Sequence, residues 1–294
     1  MLIESIDHII LATPDVSATA IPFERLGLTL TPGLRHASGT HNRSMFVGNT
    51  AVEFYVELLG VHDAEKAANN NPNWATFTRA VETGGAVARL MLRTTDIEKI
   101  LAKLQAAGVA AAVMEVRRED GSKICDVVRG SLAEKAGCEV SFVRYEGDMA
   151  SRRMRHADEG LYKHAFPLKR LDHLAVFTPS LEAMTTFWVD VLGVPVFGEV
   201  KRPGVMIIRQ MKIGDAVVEL LGPDGPDSPM KNRPAGIASM AAFEVPNLDA
   251  AIAQARARGF TVPDGAAGIL PGTRVATIPP AEMGGMALQL LEYV

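Results

Sequence analysis

The hydrophobic pattern of the chain repeats itself. Leu171-Asp172-His173-Leu174-Ala175-Val176-Phe177-Thr178-Pro179 restates, nearly position by position, Ile6-Asp7-His8-Ile9-Ile10-Leu11-Ala12-Thr13-Pro14. In each copy an apolar run rich in β-branched residues is closed by Thr-Pro and followed by apolar positions at helical spacing, which predicts a buried strand turning into a helix. Each of these strands carries one His beside an Asp. Two fainter copies follow the same plan. Ala88–Ile97 leads into a helical stretch stopped at Gly108, and Ser239–Leu248 into one stopped at Gly259. A repeat of this kind fixes the architecture before any single element does.

In unit one, the strand bearing His8 is followed by a short helix pattern over Ser17–Arg25, in which Pro22 argues against an uninterrupted helix. A polar loop, Gly33 to Asn42, precedes two apolar runs, Arg43–Val47 and Ala51–Leu59, whose Gly48-Asn49-Thr50 junction predicts a hairpin. The unit therefore reads β-α-β-β-β. A polar excursion from Val61 to Gly85 carries a helix around Trp74–Val81. Unit two ends with the strand Cys138–Tyr145. The charged stretch between Gly147 and Lys169 has no apolar periodicity and predicts a linker. Units three and four turn their hairpins at Ile213-Gly214-Asp215-Ala216 and Met283-Gly284-Gly285-Met286. Short connections favour pairing of adjacent units, giving domains over 1–147 and 169–294 joined by 148–168.

Length and composition narrow the partners. A chain of 294 residues has room for two domains. A formal net charge of −4 with no basic stripe offers nothing to nucleic acid. Cys125 and Cys138 are too few for a disulfide framework, no apolar run is long enough to span a bilayer, and Met1-Leu2-Ile3-Glu4 lacks the basic start of a signal peptide. A cytoplasmic protein without membrane partners is expected.

The four units, the Asp-His-(Ile/Leu) openings and the endings Val56-Glu57-Leu58-Leu59-Gly60 and Val218-Glu219-Leu220-Leu221-Gly222 resemble the vicinal oxygen chelate superfamily. That family includes glyoxalases, methylmalonyl-CoA epimerase, extradiol dioxygenases and bleomycin-resistance proteins. The first half is similar to the glyoxalase-like domain and the second to methylmalonyl-CoA epimerase. The resemblance implies an α+β fold of four βαβββ modules forming two cup-shaped domains, each cup holding one divalent ion (Mn, Ni, Zn or Fe) with ligands from the first and last strand of each module. Open positions then take two vicinal oxygens of a small-molecule substrate. It also admits a homodimer.

Carried over position by position, the metal ligands are His8 and Glu57 in unit one and His173 and Glu219 in unit three. The corresponding places are Arg89 and Val143 in unit two, Met240 and Gln289 in unit four. Half of each ligand set is missing. Dioxygenases of this family take iron ligands from the third unit's opening strand and both strands of the fourth, so Met240 and Gln289 disfavour that chemistry. Under adjacent pairing the better-furnished site is His173 and Glu219 with Gln289, where Glu219 and Gln289 would act in catalysis. Pairing unit one with unit three would instead gather His8, Glu57, His173 and Glu219 in one cup. Arg89 could replace the ion by pairing with Glu57, and Arg89, Met240 and the cup-mouth His41 are the candidate substrate-binding residues. Two functions remain open: a metal-dependent isomerase or lyase acting on a small carboxylate, thioester or aromatic metabolite, and a metal-free protein that sequesters a small molecule.

Overall fold

The computed structural model describes residues 2–69, 74–82 and 86–294. Unit one comprises β1 (Ile3–Ala12), α1 (Val16–Leu26), β2 (Leu34–Arg35), β3 (Thr40–Gly48) and β4 (Glu53–Val61). α2 (Ala64–Asn69) and α3 (Trp74–Glu82) occupy the polar excursion, of which residues 70–73 and 83–85 lie outside the described residues. Unit two follows with β5 (Ala86–Thr94), α4 (Ile97–Ala106), β6 (Ala111–Arg117), β7 (Lys123–Gly130), α5 (Ala133–Ala136) and β8 (Val140–Tyr145). After α6 (Met149–Asp158), unit three has β9 (Arg170–Phe177), α7 (Leu181–Thr186, continued by a π-helical turn to Val191), β10 (Val196–Arg202), β11 (Met206–Ile213) and β12 (Ala216–Pro223). Unit four closes the chain with β13 (Gly236–Glu244), α8 (Leu248–Ala257), β14 (Ala266–Ala267), β15 (Thr273–Ile278) and β16 (Ala287–Tyr293).

The turn after three of the four opening strands is built by the same local chemistry; Ser180, after β9, makes no such cap. Asp15, Asp96 and Asn247 stand in extended conformation at the helix start, and each side chain accepts from the backbone N–H three residues on. The helix α1 runs straight through Pro22, against the sequence expectation. The carbonyl that loses its donor there belongs to Ala18, which is exposed, so water can take its place.

Two eight-stranded mixed sheets result, ordered β2-β3-β4-β1-β5-β8-β7-β6 and β10-β11-β12-β9-β13-β16-β15-β14. Units one and two share one curled sheet, three and four the other. The opening strands β1 and β5 lie antiparallel at the centre of the first, β9 and β13 at the centre of the second. The swapped cup is thereby overturned: hydrogen bonding joins adjacent units, and His8 and His173 belong to different sheets.

The apolar backs of both sheets and their helices merge into a single core. Phe54 meets Phe243 with ring centroids 6.0 Å apart, and the buried Trp188 indole donates to the Ala136 carbonyl at 2.9 Å. Residues 148–168 do more than span a gap. Buried His156 of α6 bonds Glu53 at 2.6 Å through Nδ1, Tyr162 donates to the same carboxylate, and His164 bonds the Phe46 carbonyl, which ties the stretch to β3 and β4.

Candidate functional site

Strand alternation points His8 and Ile10 of β1 toward the same face as Tyr55, Glu57 and Leu59 of β4, with His8 opposite Tyr55 and Ile10 opposite Glu57. On that concave face the side chains close a ring of polar contacts. Tyr55 and Tyr145 hydroxyls meet at 2.8 Å, and Tyr145 donates to Asp7 Oδ1 at 2.8 Å. The other side of that carboxylate oxygen takes His8 Nδ1 at 2.7 Å. His8 Nε2 lies 3.4 Å from Glu57 Oε2, Asn42 Nδ2 donates to Glu57 Oε1 at 2.5 Å, and the Tyr55 ring stacks on His8 at 4.2 Å.

Charge in this ring is separated rather than neutralised. Burial pushes the Asp7 and Glu57 carboxyls up, but the hydrogen bonds and charge of His8 outweigh it, holding Asp7 below the usual range and Glu57 at about 2. Burial would likewise lower His8, yet its contacts with Asp7 and Glu57 win and raise it. Both contacts favour the imidazolium form of His8, which sits between two carboxylates.

A cavity of about 200 Å³ opens over this ring. His8, Glu57, Tyr55, Tyr145, His36 and Asn42 supply its polar wall, while Ile10, Leu59, Met91, Val116, Val127 and Val143 supply an apolar one. Arg129 of β7 and Arg152 of α6 also face it, Arg152 lying 4.0 Å above the centre of the Tyr145 ring. Neither guanidinium was singled out in the sequence, where the run Arg152–Arg155 has the look of a solvated linker.

The second cup repeats the chain of contacts and omits the cavity's furnishings. Tyr293 donates to Asp172 at 2.7 Å, Asp172 meets His173 Nδ1 at 2.9 Å, His173 Nε2 lies 3.9 Å from Glu219 Oε2, and Gln210 donates to Glu219 at 3.0 Å. Val217, not a tyrosine, stands opposite His173. Ala175, Ile208, Leu221 and Ala238 pack together with Met206, Met230 and Met240 beside the pair.

The remaining expected residues fall elsewhere. Arg89 is opposite Ile10 rather than His8, and its Nη1 donates to Ser141 Oγ at 2.7 Å; no ion pair joins it to Glu57. Burial lowers it to about 10, helped by the charge of Arg129 and opposed by Glu139. Met91 is the residue opposite His8. Ala242, not Met240, is opposite His173 and pairs with Gln289 on its other side. Gln289 is half-buried, and Glu219 takes its hydrogen bond from Gln210. His41 pairs with Gly60, whose missing side chain would point at His41 and at Val16 of α1, and it does not line the cavity.

A resident divalent ion needs donors from both modules of a cup. The first cup presents His8, His36 and Glu57 and the second His173 and Glu219, in each case from a single module, with Met91 and Val143 facing them in the first and Ala242 in the second. Among the described residues no group of three or more His, Cys, Asp or Glu converges to hold a metal. Hard or borderline ions bind poorly to such a set. The donors present do not fit the group.

Paired βαβββ modules whose opening and closing strands aim a His and a Glu into a concave sheet define a class of chelating cup proteins. Residues 6–136 match the glyoxalase-like domain, and residues 172–277 match the glyoxalase/bleomycin resistance protein/dioxygenase superfamily. Mitochondrial methylmalonyl-CoA epimerase of Mus musculus is 31% identical over 171 residues, 54% of this chain and 95% of the mouse protein. The chain belongs to this superfamily, the vicinal oxygen chelate proteins. Its fold follows a hypothetical protein from Staphylococcus aureus (TM-score 0.65, 15% identity, 98% of each chain) and a mutant 4-hydroxymandelate synthase from Streptomyces coelicolor (TM-score 0.68, 16% identity, 100% of this chain and 93% of that one). No helix among the described residues is long and apolar enough to cross a membrane.

Proposed function

We propose that this protein binds a small organic molecule in its first cup without a resident metal ion. The observation that carries the reading is the cavity beside His8 and Glu57, polar on one wall and apolar on the other. Ligand sites have this composition: an apolar body contact with a few placed polar groups that fix orientation. The expected metal-dependent isomerase or lyase asks for two further donors that Met91 and Val143 do not supply. The charge state argues the same way, because a carboxylate held at about 2 is a weak base for removing a proton from carbon. His8, Glu57 and Asn42 offer the ligand one fixed pattern of hydrogen bonds instead, and the tyrosine pair holds that pattern in place through Asp7.

A thermal-shift screen of small acids, amides and aromatic compounds in the presence of a chelator tests this. A ligand at a hundredfold excess over its Kd should stabilise the fold by about 2.7 kcal/mol. The shift should vanish in Val127→Phe, which fills the first cavity, and persist in Ala238→Leu in the second cup. Shifts that appear only after a divalent metal is added, and that survive Val127→Phe, would overturn the reading in favour of the metal-dependent enzyme.

A further inference from the structure

Arg129 faces the first cavity without a carboxylate to meet it. Its side chain makes no hydrogen bond or ion pair among the described residues, and its Nε is shut off from solvent without a partner. Glu57 is near enough to bias it electrostatically, but that carboxylate is already taken by His8 and Asn42. Arg89 is close enough to Arg129 to repel it, and its own guanidinium is committed to Ser141. Arg152 is differently placed, since the Tyr145 ring and the charges of Asp7 and Glu53 compensate it. Arg129 is therefore the group in the cavity whose charge the fold leaves unanswered. A half-buried guanidinium whose Nε is shut off from solvent without a partner costs the folded state, and a carboxylate brought in by a ligand supplies the two parallel hydrogen bonds its planar fork is shaped for.

The rest of the cavity sets the size and character of what the carboxylate is attached to. Ile10, Met91, Val116 and Val127 make an apolar wall, and the volume is about 200 Å³. An engineered protein cavity of about 150 Å³ takes up benzene, so a single ring or a branched aliphatic group fits beside a carboxylate. We infer that the first cup takes a small carboxylic acid with a ring-sized apolar body, its carboxylate anchored on Arg129 and its body against the Ile10–Val127 wall. This rests on the reading of the first cup as a ligand site and names the ligand's chemistry.

Calorimetric titration of the full chain with benzoate, phenylacetate and 3-methylbutanoate, each against its neutral amide, and with inorganic phosphate, tests it. At least one acid should bind, with its amide weaker by about tenfold or more. Arg129→Met should lose a similar factor for the acid and leave the amide unchanged. Its thermal midpoint without ligand should not fall, because no intramolecular partner is removed; Arg129→Gln replaces it if the Met variant does not fold. An amide that binds as tightly as its acid, or an acid indifferent to Arg129→Met, overturns the inference while leaving the ligand site standing. Phosphate binding as tightly as the acids overturns the apolar body. Failure of every acid and amide to bind sinks the inference and the ligand-site reading together.

Discussion

The two cups carry the same chain of contacts, tyrosine to aspartate to histidine to glutamate, and differ in what surrounds it. In the first, Asp7 is 2% exposed and is met by His8, Tyr145 and, at 3.9 Å, the buried Arg93. In the second, Asp172 leans on Tyr293, which is 53% exposed, and on the half-buried Arg170. The first chain is enclosed beneath a cavity, Tyr55 and α6; the second lies beside Met206, Met230 and Met240 and opens to water at its tyrosine end. A His–Asp pair that persists in a cup packed with methionine and alanine needs no ligand to satisfy it. The cavity of the first cup therefore comes from what surrounds the pair, namely Tyr55, Arg129 and the covering helix, and not from the pair itself.

Removing the two aspartates should expose this difference most strongly. Asp7→Ala takes away the Nδ1 partner of His8 in a closed environment and leaves Arg93 with Glu4 alone, and should cost about 3–5 kcal/mol. Asp172→Ala also takes a partner from buried His173, but leaves Tyr293 and Arg170 within reach of water, and should cost about 1.5–3 kcal/mol. Urea midpoints of the two variants check it, and equal losses would break the contrast.

Next in size is the acid limb of stability. Glu57 has its folded value depressed to about 2 from a usual 4.5, so its contribution is present above about pH 4.5 and is lost as the pH falls toward 2. The loss should be on the order of 3 kcal/mol. His8 is raised, so its contribution is present below its ordinary value of 6.5 and fades as the pH rises through the folded one. Unfolding free energy measured from pH 2 to 8 should therefore show an acid limb that Glu57→Gln flattens. A limb of the same depth in Glu57→Gln would remove Glu57 as its source.

Much of the fold was legible because the repeat is written locally. Thr-Pro-Asp, Thr-Thr-Asp and Val-Pro-Asn each place a capping side chain two or three residues after a strand, and cap geometry depends on no distant residue. His8, Glu57, His173 and Glu219 were legible for the same reason, each falling at a repeated position. The residues facing them were not. Irregularities between Ile3 and Ser5 and between Ile6 and His8 together shift the β1–β5 register by two residues, so counting along the repeat selects Arg89 where the sheet presents Met91. The irregularities in β13 move the partner of His173 from Met240 to Ala242 in the same way. Arg152 was hidden by its setting, since a charged helix without apolar periodicity gives no sign that one of its faces covers a cup.

The smallest expected effect tests that covering helix, because removing Arg152 makes the first cup more like the second. Its guanidinium gains from the Tyr145 ring and loses from an Nε buried without a partner, so the two terms oppose. Arg152→Ala should therefore change stability by no more than about 1 kcal/mol. Tyr145→Phe keeps the ring but removes the hydroxyl that bonds Asp7 and Tyr55. If the arginine acts through the ring, Arg152→Ala should cost the same in the Tyr145→Phe background as alone, and the double-mutant coupling should be near zero. A large coupling would mean that Arg152 works through the hydroxyl and the Asp7 charge instead. In that case α6 would belong to the polar chain itself, and the two cups would differ in their chemistry as well as in their covering.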